Sequence, residues 1–262
     1  MRFRPVFAAL LLMLGLVLPA AAQEQNTLTI TYEQFSLTVA KDFLTGLTVA
    51  ELPADPPENG PGFAEPASVQ IAFSNPAPGF APESILTLRF YRTADFAAYP
   101  EHQRRLEQLQ TLLADRPDLA AYATYREDAM ADALPFLPVY PHGQVLSART
   151  AYVETPMLNG IAYVAGFAAD VAPFNSNSFV YTVQAVTPDG AYYVSAQAFV
   201  TTDLFPAELP AFDPAAFQAN LPTYIAESIA TLQAGAAEDF SPSTAAVDAI
   251  IQSITITPPP MA

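Results

Sequence analysis

Three features of the chain predict an α+β fold, a mostly antiparallel sheet flanked by helices. Between Gln144 and Thr201, four apolar-rich segments follow one another through short connections, the pattern of an antiparallel meander. Several of these segments are apolar on both faces, so both sides of the sheet need cover, which gives an α/β/α sandwich. The cover is available. Leu106, Leu109, Leu112 and Leu113 repeat at helical spacing, as do Tyr224, Ile225, Ile229 and Leu232.

The elements follow in order. Arg2 and Arg4, the apolar run Val6–Leu18, Pro19 and then Ala20-Ala21-Ala22 read as a signal peptide over residues 1–22, cleaved after Ala22. The run is too short to span a bilayer, so the mature chain is expected outside the cytoplasm, with no membrane insertion after cleavage. Residues 23–257 read as a single domain. Leu28–Tyr32 and Phe35–Val39 alternate as strands, and 45–52 follows as another. The stretch Pro53–Pro66 is a proline- and glycine-rich loop. Val69, Ile71 and Phe73 mark a strand with one wet face, and a second loop over Asn75–Pro82 leads to a strand over Ile85–Tyr91. A helix follows, with Pro100 in its first turn and Pro117 beyond its end. Asp118–Met130 stays open between helix and loop, and Leu134-Pro135-Phe136-Leu137-Pro138 is a rigid apolar connector.

In the meander, Asn159-Gly160 and Pro188-Asp189-Gly190 are the turn signals, each glycine expected at positive φ. Period-two alternation places Tyr181 and Val183 toward one layer and Gln184 toward the other. A helix is expected from about Pro222, ended by Gly235, and a short one after Ser241-Pro242 carries Val247, Ile250 and Ile251. Ile254–Ile256 reads as a closing strand, and residues 258–262 as a disordered tail.

The Leu134–Pro138 run, Asn159-Gly160-Ile161 and the hairpin from Tyr181-Thr182-Val183-Gln184 to Tyr192-Tyr193-Val194-Ser195 together carry a resemblance. They resemble a family of uncharacterised exported bacterial proteins with a "PFLP" and a "YTxQGxTxDGxYYVS" motif. Ala185 stands where that pattern has glycine. The arrangement is also similar to the PsbP-like α/β/α sandwich. The resemblance implies the fold and no particular chemistry.

Charge limits the partners. The chain has 10 basic and 26 acidic side chains, a formal net charge of −16, and Lys41 is its only lysine. No basic stripe can be assembled, which argues against nucleic acid and anionic membrane surfaces. Cysteine is absent, excluding thiol chemistry and cysteine-ligated metal, and two distant histidines do not make a zinc site. No cofactor is expected, because neither G-x-G-x-x-G nor a P-loop occurs. No G-x-S-x-G elbow occurs either. His102 reads as a solvated side chain at a helix start and His142 as a turn residue.

The weak catalytic candidates are Glu154 and Asp170, carboxylates near strand ends. The binding candidates are Arg89, Arg92, Arg104 and Arg105, the one local excess of positive charge, which otherwise reads as counter-charge for an acidic protein. The resulting expectation is a non-enzymatic extracytoplasmic binding or accessory module with a protein or small-molecule partner. The alternative is a carboxylate-dependent hydrolase acting on an extracellular substrate.

Overall fold

The computed structural model describes residues 26–43, 46–59, 64–75, 83–125, 133–140, 142–168 and 172–257. The expected signal peptide with Ala22, the 258–262 tail and Asp170 lie outside the described residues. The strands are β1 (Thr27–Tyr32), β2 (Phe35–Ala40), β3 (Leu47–Leu52), β4 (Ser68–Asn75), β5 (Glu83–Arg92), β6 (Gly143–Glu154), β7 (Asn159–Ala168), β8 (Phe179–Val186), β9 (Tyr192–Thr202), β10 (Phe240–Ser241) and β11 (Thr255–Ile256). The helices are α1 (Pro100–Asp115), α2 (Pro214–Ala234) and α3 (Thr244–Gln252).

Two antiparallel meanders, β3–β4–β5 and β6–β7–β8–β9, join where β9 pairs with β5, giving the order β3-β4-β5-β9-β8-β7-β6. Short β10 extends the β5 side of β9. A separate small sheet has the order β1-β2-β11. Every pairing is antiparallel.

Alternation along the strands sorts the core into two layers. One sheet face presents Leu88, Phe90, Val164, Tyr181, Val183 and Ala196 to the β1–β2 hairpin, α2 and α3. The other presents Tyr91, Tyr163, Val180 and Tyr193 to Leu106, Leu109 and Leu112 of α1 and to the connector residues Leu134, Phe136 and Leu137. The expected split of Tyr181 and Val183 from Gln184 therefore holds, as does the assignment of the two helical stripes to cover. Burying each stripe removes apolar area worth ~25 cal/mol per Å².

The quoted motifs meet at one place. The connector crosses the sheet face without belonging to any helix or strand, so its buried peptide groups need side-chain partners. Gln184 provides them as a strand would: its Oε1 accepts from Leu137 N–H at 3.0 Å, and its Nε2 donates to Leu137 C=O at 3.2 Å. The same carbonyl accepts from Gln197 Nε2 at 2.9 Å and from the Ser195 hydroxyl. Tyr193 donates to Gln184 Oε1 at 2.7 Å, and Gln184 Nε2 also donates to Thr182 Oγ1 at 2.7 Å. Tyr163 holds the neighbouring Pro135 carbonyl at 2.9 Å. Burial pushes the Tyr163 and Tyr193 phenols well above their ordinary range, so both remain neutral donors.

Two expectations are revised, and one segment left open is described in part. Helix α2 begins at Pro214, not near Pro222: Asp213 caps it by accepting from Ala216 N–H at 2.9 Å, and Pro214 suits the first turn. Pro222 is tolerated inside because this part of the helix is exposed, and water can reach the carbonyl it leaves unpaired. The segment left open after Asp118 contains a short 3-10 turn, Leu119–Tyr122. Finally, Gly190 does sit at φ 71°, but Gly160 has no positive φ and lies within β7. Its role is close approach, for a Cβ there would lie 2.6 Å from Ala185 Cβ and 2.7 Å from Ala185 Cα. The turn before it is built instead by Thr155, whose Oγ1 accepts from Leu158 N–H at 2.8 Å.

Two predictions follow from this packing. Gln184→Leu should lower unfolding free energy in urea by at least ~3 kcal/mol, since it strands both Leu137 peptide groups and the Tyr193 hydroxyl, each worth about 1–3 kcal/mol when left unpaired. Gly190→Val, with open space around its Cβ, should cost only its backbone strain of about 1–2 kcal/mol. Gly160→Ala should cost more than that, because β7 and β8 must part. A neutral Gly160→Ala in the same melts would refute the close-approach account.

Candidate functional site

The four arginines do not form one patch. Strand alternation turns Arg89 and Arg92 to opposite faces of β5. Arg89 donates from Nε to Gln70 Oε1 at 3.0 Å and from Nη1 to Glu65 Oε1 at 3.2 Å. Arg104 pairs with Glu101 on the surface of α1. Arg105 is buried, with Nε 3.3 Å from Glu101 Oε1, and desolvation followed by the adjacent Arg104 lowers its pKa. Counter-charge thus accounts for three of them. Arg92 is exposed, and of the four it alone makes no ion pair among the described residues.

Glu154 ends β6 at the far edge of the large sheet, with its side chain 60% exposed. It pairs with Arg116, whose guanidinium lies 4.4 Å from the centre of the Tyr152 ring. This clasp ties the end of α1 to β6. No described group of three or more His, Cys, Asp or Glu gathers in a way that could hold a metal ion.

His102 corrects the sequence reading. It is 1% exposed, not solvated, and is ringed by Tyr91, Phe96 and Tyr99 at centroid distances of 5.4–6.0 Å. Its Nε2 lies 3.2 Å from Glu65 Oε2, without the alignment of a hydrogen bond. Glu65 Oε1 also accepts from the Tyr91 hydroxyl, and burial, reinforced by this carboxylate, raises the Tyr91 phenol well above its ordinary range. Glu65 lies in the loop between β3 and β4, where its backbone pairs with Asp55. The three-way grip on its carboxylate therefore fastens that loop over the start of α1. Only the helical stripe decided the sequence reading, and the stripe gives no sign that a distant loop lies over His102. His142 is exposed, 5.4 Å from the Tyr140 ring.

The fastened loop forms one wall of a cleft of about 410 Å³ at the junction of the two sheets. The β1–β2 turn provides Glu33 and Gln34, the end of β3 provides Glu51, Leu52 and Pro53, and the loop returns through Ala67 to Ser68. The far wall is Arg92, Asp95 and Tyr192. Beneath the cleft, the Phe35 and Phe90 rings stack at 4.3 Å, with Tyr192 edge-on to Phe35 at 5.4 Å. Gln34 Nε2 donates to the Tyr192 hydroxyl at 3.0 Å, and Tyr32 donates to Glu51 Oε1 at 2.9 Å. Glu33, Asp95 and Arg92 have no ion-pair partner among the described residues. Ser68 Oγ is buried without a hydrogen-bond partner. Sequence reasoning missed this site apart from Arg92, because its parts come from five separated segments.

His102→Ala should destabilise the fold by about 2–3 kcal/mol, the scale for deleting a buried ring, whereas His142→Ala should stay within ~0.5 kcal/mol of wild type. Chemical denaturation of the two variants reads this directly; an indifferent His102→Ala would contradict the anchoring role.

Comparisons with protein-family models, curated proteins and solved structures each gave no match to this chain.

Proposed function

We propose that this protein is an exported, non-enzymatic binding module whose ligand occupies the cleft between the two sheets. One observation carries the reading: a cleft of about 410 Å³, within the usual range of roughly 300–1,000 Å³ for small-molecule sites, bordered by Glu33, Arg92 and Asp95, which make no ion pair among the described residues. Unpaired charges of both signs beside an apolar floor suit recognition.

The side chains around it favour binding over turnover. His102 is enclosed by aromatic rings with Nε2 toward Glu65, and His142 is on another part of the surface, so neither stands as a base in the cleft. Glu154, a candidate for a hydrolytic reading, is paired with Arg116 away from it. Export rests on the charged start, apolar run and Ala20–Ala22 pattern, and on no other observation.

The binding reading is tested with Ala67→Trp, which fills the cleft from an exposed position and leaves the core untouched. A library of small polar metabolites should contain members that raise the melting temperature of the wild-type protein and do not raise that of Ala67→Trp. Cleavage of a library member by the wild type, abolished in Glu51→Gln, would favour the hydrolase instead. N-terminal mass spectrometry of exported material should show a chain beginning at Gln23.

A further inference from the structure

Resting on the cleft as the ligand site, we infer that its ligand class is a zwitterion of amino-acid type, with a basic amino acid fitting best. The inference comes from the signs and positions of charged groups that make no ion pair among the described residues. Glu33, Glu51 and Asp95 supply three carboxylates around the opening, and Arg92 supplies one guanidinium on the same wall as Asp95. Arg92 and Asp95 are three residues apart at the end of β5 and the 3-10 turn after it, yet they do not pair. A simple amine would leave Arg92 unanswered, and a simple anion would face three carboxylates. A molecule bearing both an ammonium and a carboxylate answers both sets, and the carboxylate–guanidinium contact can be bidentate.

Two further features fit this class. Three acids against one base leave an excess of negative charge, which favours a second cationic group on the ligand. The half-buried Val69, with Tyr192 held by Gln34, offers an apolar surface for the methylene stem of a long side chain. The cleft volume is at the small end for ligand sites and suits one such molecule.

The experiment is calorimetric titration of the full chain with L-arginine, its N-acetyl derivative and its amide. L-Arginine should bind, and each derivative should bind at least ~10-fold more weakly, the effect of losing one charge-assisted contact. Arg92→Gln should weaken L-arginine to the level of the amide while leaving the amide unchanged. Asp95→Asn should narrow the gap between L-arginine and the N-acetyl form, and Ala67→Trp should abolish binding of all three. Equal binding of the N-acetyl derivative and L-arginine, or L-arginine binding unaffected by Ala67→Trp, overturns the inference. A non-zwitterionic molecule that stabilises wild type but not Ala67→Trp, with L-arginine silent, overturns it while sparing the cleft as a binding site. If no compound binds in the cleft, both readings fail.

Discussion

The grip of Gln184 on the Leu137 peptide is the interaction on which the rest of this fold depends. The chain must travel from β5 to β6, which lies at the opposite edge of the sheet, and it does so across a face already filled with apolar side chains. Part of that path is Ala133–Pro138, with peptide groups that neither a helix nor a ladder satisfies. Burying them unpaired would cost several kcal/mol. A glutamine amide carries the same donor and acceptor as a peptide, so Gln184 substitutes for the missing strand, and Ser195 and Gln197 share the carbonyl. With the connector seated, Leu134, Phe136 and Leu137 complete the layer in which the α1 leucines lie.

The opposite face is organised by closure of the chain ends. β11 adds to β2, and Ser253 accepts from Thr38 N–H at 2.8 Å and donates to Thr38 C=O at 3.1 Å. Tyr181 reaches Asp248 of α3 at 2.6 Å, and burial raises that carboxyl above its ordinary range despite the hydrogen bond. The small sheet is thereby fixed against the large one, and the gap left between their ends is the cleft. Its walls are strand ends and turns of the two sheets.

In so acidic a chain, positive charge is scarce, and most described arginines act as ties. Arg89 holds the Glu65 loop, Arg105 lies buried by Glu101, and Arg116 clasps Glu154. Arg149 donates to Gly235 C=O, and at 3.3 Å to Leu232 C=O, at the end of α2. Cations suit a helix C-terminus because carbonyls point outward there. Against that pattern Arg92 stands apart, exposed and without an ion pair among the described residues, beside a cleft whose other charged lining residues are Glu33, Glu51 and Asp95.

The sequence by itself determined what local periodicity and turn chemistry control. Alternation assigned Tyr181 and Val183 to one layer and Gln184 to the other, helical spacing marked the covering stripes, and Asp189-Gly190 marked a turn that needs positive φ. It marked the connector and the β8–β9 hairpin as one set of motifs, but not that they touch. Tertiary structure alone decided that contact, and also that Gly160 makes room for Ala185, that His102 is buried under Glu65, and that Glu33, Glu51, Arg92 and Asp95 share a cleft. The physical reason is common to all four. Periodicity reports which way a side chain turns from its own backbone, whereas burial, close approach and convergence depend on which distant segment arrives opposite it, and that is set by the pairing of β5 with β9 and by the path of the crossover between the meanders.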